Sequence, residues 1–194
     1  MLDLIKESYT TTYNLLGKFI DSPENLKNTE AVGRKLVEIF RSKGKVIICG
    51  NGGSATDAMH FAEEFTGRFR DDRKALPAIA LSDPSHITCV GNDYGFNEIF
   101  ARGVEAYALP GDMVIGLSTS GNSPNIIRAL EQAQEIGCTT VALLGKDGGK
   151  LQGKCDYEFV IPGKTSDRVQ EIHMTILHIV IEVVERLMFP ENYK

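Results

Sequence analysis

Residues 46–54, Val46-Ile47-Ile48-Cys49-Gly50-Asn51-Gly52-Gly53-Ser54, set a β-branched apolar run against a glycine-rich turn, and helical spacing follows over Ala55–Phe65. Strand, glycine loop and helix in that order form the opening unit of a parallel α/β sheet. Four more short apolar runs repeat the rhythm: Ala78–Leu81, Met113–Leu117, Thr140–Leu144 and Tyr157–Ile161. Unbroken apolar runs separated by helices indicate strands covered on both faces. The expected fold class is α/β, a doubly wound five-stranded parallel sheet.

Outward from that core, Leu2–Ile20 and about Thr29–Lys43 carry apolar residues at three- and four-residue spacing, with Asp21-Ser22-Pro23 as a breaker between them. After the last strand, Pro162–Ser166 reads as a loop, and Ser166 or Asp167 as the N-cap of a helix reaching about Phe189. Twelve positions between Ile172 and Phe189 are apolar, covering most of that helix's circumference. One sheet face buries only one side of a helix, so a second subunit is the expected cover, with a central helix inside a monomer as the alternative.

A chain of 194 residues without a linker, repeat or low-complexity stretch reads as one domain, 1–194, with residues 1–43 as helices used in oligomer packing and 45–189 as the α/β core. The balance of 21 basic against 26 acidic residues argues against a nucleic-acid partner, which requires a basic face. No run of 18 uncharged apolar residues exists to cross a bilayer. Acidic residues at Asp3 and Glu7 are unlike a secretory signal, so a cytoplasmic location is expected. Four scattered cysteines, Cys49, Cys89, Cys138 and Cys155, read as buried thiols in a reducing compartment.

Ligands of such sheets sit where strands end and helices begin. The first such loop, Gly50–Ser54, offers close backbone approach and the polar side chains of Asn51 and Ser54. A tight turn with Ser54 as N-cap is the plain alternative. The spacing Gly50-x-Gly52-x-x-Ala55 also matches a loose dinucleotide fingerprint, with Asp83 as ribose acceptor. The second loop, Ser118-Thr119-Ser120-Gly121-Asn122-Ser123-Pro124, gathers four hydroxyls ahead of a helix whose first residue is Pro124 and whose N-cap is Ser123. One cap needs one hydroxyl, so the surplus points to a phosphate cradle. No Gly-Lys-Ser/Thr follows, which favours a sugar phosphomonoester over a nucleoside triphosphate. His60 and Glu64 are four apart on the helix after the first loop, a pair able to bind a divalent metal or to exchange protons. The last helix adds Gln170, Glu171, His173 and His178.

Taken together, Cys49–Ser54, Ala58–Glu64, Gly91–Gly95, Ser118–Ser123, Gly145–Gly149 and Arg168–His173 with His178 resemble the phosphoheptose isomerases of the sugar-isomerase (SIS) domain group, which share a flavodoxin-like core. The resemblance spans about Lys45 to Phe189. It implies interconversion of sedoheptulose 7-phosphate and D-glycero-D-manno-heptose 7-phosphate, feeding heptose for lipopolysaccharide core or capsule, in a homotetramer with one zinc per subunit. It further implies a phosphate site at Ser118, Thr119, Ser120 and Ser123. A sugar site at Asn51, Gly52, Gly53, Ser54, Asn92 and Asp93 follows by the same matching, with substrate contacts from Asp167, Gln170 and Glu64. The implied metal ligands are His60, Glu64, Gln170 and His178, and the implied catalytic pair is Glu64 and His178. His86 and His173 receive no role.

The chemistry suits these residue types. Aldose–ketose isomerisation moves a proton between adjacent carbons through an enediol, which needs a carboxylate base, while an imidazole suits ring opening or proton exchange between oxygens. A bound zinc would polarise the carbonyl, although a liganded imidazole or carboxylate is not at the same time a free base. Gln170 and His178 lie eight residues apart on one helix, an axial rise of about 12 Å with directions about 80° apart. One ion can hardly take both from one straight helix, so the site is expected to be completed across a subunit interface. The competing reading is a non-catalytic SIS-domain protein that binds a sugar phosphate or a replication-initiator partner. The presence of Glu64 and His178 speaks against it. A nicotinamide oxidoreductase, resting on the glycine spacing alone, is more distant.

Overall fold

The computed structural model describes residues 1–194. Two helices, α1 (Leu2–Ile20) and α2 (Pro23–Arg41), lead into β1 (Val46–Gly50), α3 (Gly53–Thr66), β2 (Ala78–Ala80), α4 (Pro84–Asp93) and α5 (Ala101–Tyr107). There follow β3 (Met113–Ser118), α6 (Pro124–Ile136), β4 (Thr139–Gly145), β5 (Tyr157–Ile161) and α7 (Ser166–Met188). The strands form one parallel sheet in the order β2-β1-β3-β4-β5. All five expected strands are present. The order reverses between β1 and β3, which opens the crevice where such sheets bind ligands.

Side-chain alternation along the strands builds two apolar layers. Val46 and Ile48 join the layer under α1, α2, α3 and α7, while Ile47 and Cys49 join the layer under α4, α5 and α6. Much of the apolar surface of α7 that the sequence assigns to a second subunit is covered by the chain itself, while Ile179 stays 44% exposed. Ile172, Ile176, Leu177, Val180, Ile181 and Val184 are all buried within the single chain, because α1, α2 and α3 wrap the helix on the sides the sheet leaves open. Gly33 makes that wrapping possible, since a Cβ there would lie 2.5 Å from Val183 Cγ1.

Local boundaries differ from expectation where a breaker is also a starter. Pro23 occupies the first turn of α2, whose N-cap is Ser22, so the helix begins at Pro23 rather than near Thr29. The N-cap of α7 is Thr165, in extended conformation, one residue before Ser166. Helix α3 starts at Gly53 with Gly52 at the cap position, so Ser54 lies inside the helix and does not cap it. Cys89 is exposed and Cys155 half-buried, against the expectation of four buried thiols; only Cys49 and Cys138 are buried. No helix is long and apolar enough to cross a membrane.

Candidate active site

Three helix N-termini meet at the carboxyl edge of the sheet. The β3–α6 loop carries the hydroxyls: Ser118 Oγ donates to Ser123 Oγ at 3.0 Å, and Ser120 Oγ accepts from the Asn122 amide at 3.1 Å. Thr119 Oγ1 lies 3.1 Å from Ser166 Oγ, which brings the loop against the first turn of α7. On the other side, the Asn51 and Asn125 carboxamides exchange two hydrogen bonds of 2.9 and 2.8 Å and tie the glycine loop to α6. The positive ends of α3, α6 and α7 thus face one space lined by hydroxyls, an arrangement that stabilises an anion.

Gln170 reaches the first turn of α3, where its Nε2 donates to Ser54 Oγ at 3.3 Å. A Cβ at Gly53 would sit 2.7 Å from Gln170 Oε1, so a larger residue there would displace the Gln170 carboxamide. Further along, His178 meets His60 edge-on, with ring centroids 5.0 Å apart, and His60 Nε2 lies 3.1 Å from Glu64 Oε1. One ligand atom from each of His60, Glu64 and His178 falls within 4.8 Å of the others. Helices α3 and α7 therefore run parallel in fixed register. They present two stations, Ser54 with Gln170 at the mouth and the imidazole–carboxylate cluster beyond it, with Ser54 and His60 about 9 Å apart along the helix axis.

The single chain gathers three of the four expected metal ligands and keeps Gln170 at the mouth. Two imidazole nitrogens and a carboxylate oxygen suit a divalent ion that favours N/O donors and retains open positions. His178 is held below the usual histidine range by burial and by neighbouring His60, with Glu64 pulling the other way. Asp57, on α3 between the two stations, keeps a buried Oδ2 without a partner, and burial raises its carboxyl.

Other expected residues lie apart. Asn92 and Asp93 end α4, and their side chains bond to each other at 2.7 Å, with Cys89 Sγ 3.7 Å from Asp93. Asp167 faces a cavity of about 550 Å³ between α1 and the start of α7, shared with Thr11, Asn14, Lys164 and Arg168. The Thr165 hydroxyl and Arg168 keep its carboxyl low. Asp83 is the N-cap of α4, accepting from the His86 amide at 2.7 Å, and this employment leaves the ribose-acceptor reading without support. His86 bonds the Ile99 carbonyl and His173 the Leu144 carbonyl, so both histidines hold structure together.

The chain matches the SIS domain model over residues 11–145. It is 70% identical to a phosphoheptose isomerase of Fusobacterium nucleatum, over 96% of each chain. The chain belongs to the phosphoheptose isomerases of the SIS-domain family. A phosphoheptose isomerase of Vibrio cholerae is 49% identical over 96% of this chain and 98% of its own length. The solved structure of a phosphoheptose isomerase from Neisseria gonorrhoeae superposes with a TM-score of 0.88 at 33% identity, covering 95% of this chain and 98% of that one. The fold that carries the hydroxyl loop and the helix pair is thus shared with a phosphoheptose isomerase of known structure.

Two features of this site gave no signal in the sequence. Asn125 looks like an ordinary first-turn residue, and its pairing with Asn51 depends on β1 and β3 being neighbours. Phe69 stacks on His178 with centroids 5.7 Å apart, yet it lies in a charged loop without periodicity.

Proposed function

We propose that the protein isomerises sedoheptulose 7-phosphate to D-glycero-D-manno-heptose 7-phosphate. The observation that carries this reading is the convergence of His60 and Glu64 of α3 with His178 of α7, two helices whose N-termini border the four-hydroxyl loop. Ser118, Thr119, Ser120 and Ser123 bind the phosphate, with the positive ends of α6 and α7 behind them. Asn51, Gly52, Gly53, Ser54 and Gln170 line the sugar chain, and Asn92, Asp93 and Asp167 contact it from elements that lie further off. Glu64 removes the proton from one carbon of the reacting pair and returns it to the next. His178, whose pKa is held down by burial and by His60, exchanges protons between the two oxygens. His60, Glu64 and His178, with Gln170 of a neighbouring subunit, would hold one zinc per subunit, which would supply Lewis-acid polarisation of the carbonyl, Glu64 and His178 leaving the ion when they carry protons.

The working form is a homotetramer with sites completed across interfaces. Supporting this, Ile179 beside His178 and Met59 beside His60 are 44% and 42% exposed, and α1 presents Leu2, Ile5, Tyr9 and Tyr13 to solvent. Apolar side chains of that size next to a polar cluster are characteristic of a covered face. A cytoplasmic setting fits a sugar-phosphate substrate.

The test is turnover of sedoheptulose 7-phosphate followed by appearance of the aldoheptose phosphate. We expect conversion in wild type and a rate lower by about 100-fold or more in Glu64→Gln. A wild-type protein that binds the ketose phosphate without converting it would leave only the non-catalytic reading.

A further inference from the structure

The geometry points to Arg73 as a positioning residue: held by Glu185, it fixes the register of α3 on α7 and thereby places Glu64 against His178. This rests on the catalytic reading of that pair. Arg73 and Glu185 form an ion pair of 2.7 Å whose side chains are 1% and 2% exposed, among the most deeply buried charges in the molecule. A buried pair is weak grounds for stability by itself, because desolvation offsets the attraction. Its other bonds show what it does.

Helix α3 ends without a basic residue in its last turn, and its C-cap, Gly67, is not left-handed. The terminal carbonyls therefore need a donor from outside. Arg73 supplies it. Its Nη2 donates to the Glu64 carbonyl at 2.5 Å, and its Nη1 to the carbonyls of Phe65 and Gly67 at 2.8 and 2.9 Å. The remaining nitrogen, Nε, donates to Glu185. One planar guanidinium thus grips the backbone of the proposed base itself and a carboxylate on α7.

Glu185 lies seven residues after His178, two helical turns on nearly the same face. The Glu64 backbone and the His178 face are consequently joined through a single rigid fork. Tyr193 closes the arrangement, its hydroxyl donating to Glu185 Oε2 at 2.7 Å from the C-terminal 3-10 turn. Phe69, in the loop between α3 and Arg73, is carried onto the His178 ring by the same loop. Lysine cannot replace this fork, since an ammonium is a point donor without the planar reach.

Three variants test it: the double exchange Arg73→Met with Glu185→Met, which keeps volume and removes both charges; Arg73→Lys; and Tyr193→Phe. Each is measured for melting temperature, kcat and KM with sedoheptulose 7-phosphate, and imidazole NMR resonances, of which this chain has only four sets. In the double variant we expect kcat to fall about tenfold or more with KM within about twofold, because a displacement near 1 Å of a catalytic group costs up to about 100-fold. The resonances of His60 and His178 should move while those of His86 and His173, bonded elsewhere, stay in place. Arg73→Lys should recover part of kcat, and Tyr193→Phe should lower it by only a few-fold. An unchanged kcat and unchanged His60 and His178 signals in a folded double variant overturn the inference. If the double variant does not fold, Tyr193→Phe decides, and silence in both readouts overturns it equally. Should wild type lack turnover, the functional reading fails, and the imidazole spectra alone still judge the positioning role.

Discussion

The hydroxyl loop and the imidazole–carboxylate cluster are built in opposite ways. Ser118, Thr119, Ser120 and Ser123 are near neighbours in the chain, and the β3–α6 backbone fixes them locally. His60 and Glu64 meet His178 from more than a hundred residues away, through the packing of α3 on α7. Errors in the loop should cost affinity; errors in the cluster should cost turnover. The sharpest way to break that contrast is Glu64→Gln, which preserves shape and removes the base. We expect kcat to fall by about 100-fold or more, the usual contribution of a positioned base, with KM changed little. Steady-state kinetics with sedoheptulose 7-phosphate decide, and a KM effect dominating over kcat would make the two regions alike.

The cluster also depends on α7 being anchored to the sheet, and His173 does this from the helix's inner side. Its Nε2 bonds the Leu144 carbonyl of β4 at 3.0 Å, and burial pulls its pKa down to about 4. The unfolded imidazole protonates near pH 6.5, so between pH 6.5 and 4 the unfolded state takes up a proton that the folded state refuses. Stability is therefore fully present above about pH 6.5 and declines as pH falls toward 4, by about 3 kcal/mol from this group. Urea midpoints across that range should fall more steeply in wild type than in His173→Gln. Parallel slopes would remove His173 as the anchor.

This asymmetry also explains what was legible in the sequence. The five strands were readable because each is a short apolar run, buried on both faces, and the hydroxyl loop because four hydroxyls exceed what a cap needs. The share of α7 that α1, α2 and α3 cover is not legible in the sequence, since periodicity reveals which face of a helix is apolar and not which helix will meet it. Gly33, which lets α2 approach α7, looks in the sequence like an ordinary weak point in a helix. Likewise Asn125 and Arg73 acquire meaning only once the strand order and the helix register exist.

On the loop side, Thr119→Val removes one hydroxyl at nearly constant volume. Its Oγ1 now meets Ser166 at the start of α7, where the phosphate contact is proposed. A hydrogen bond to a charged group contributes about 1.5–3 kcal/mol, so KM should rise by roughly 10- to 150-fold while kcat stays within about twofold. Isotope-free initial rates over a wide substrate range suffice. A kcat loss at saturating substrate would mean that the loop orients the reacting end as well as gripping the tail.

The finest probe is Phe69→Leu, because it alters the cluster from the outside without touching a ligating or proton-carrying group. The Phe69 ring lies at 33° to His178, and the Arg70 guanidinium sits 5.1 Å from the ring centroid on its way to Glu182. Leucine keeps the apolar cover and loses the aromatic contact, worth about 0.5–1.5 kcal/mol beyond area. The Arg70–Glu182 pair survives the change, but its side chains are 47% and 27% exposed and it adds less than about 1 kcal/mol. We therefore expect kcat to drop about threefold, KM to hold, and the melting temperature to shift by only a few degrees. If kcat is unchanged, the orientation of His178 is set by its own helix alone, and the cluster is then locally determined to the same degree as the loop.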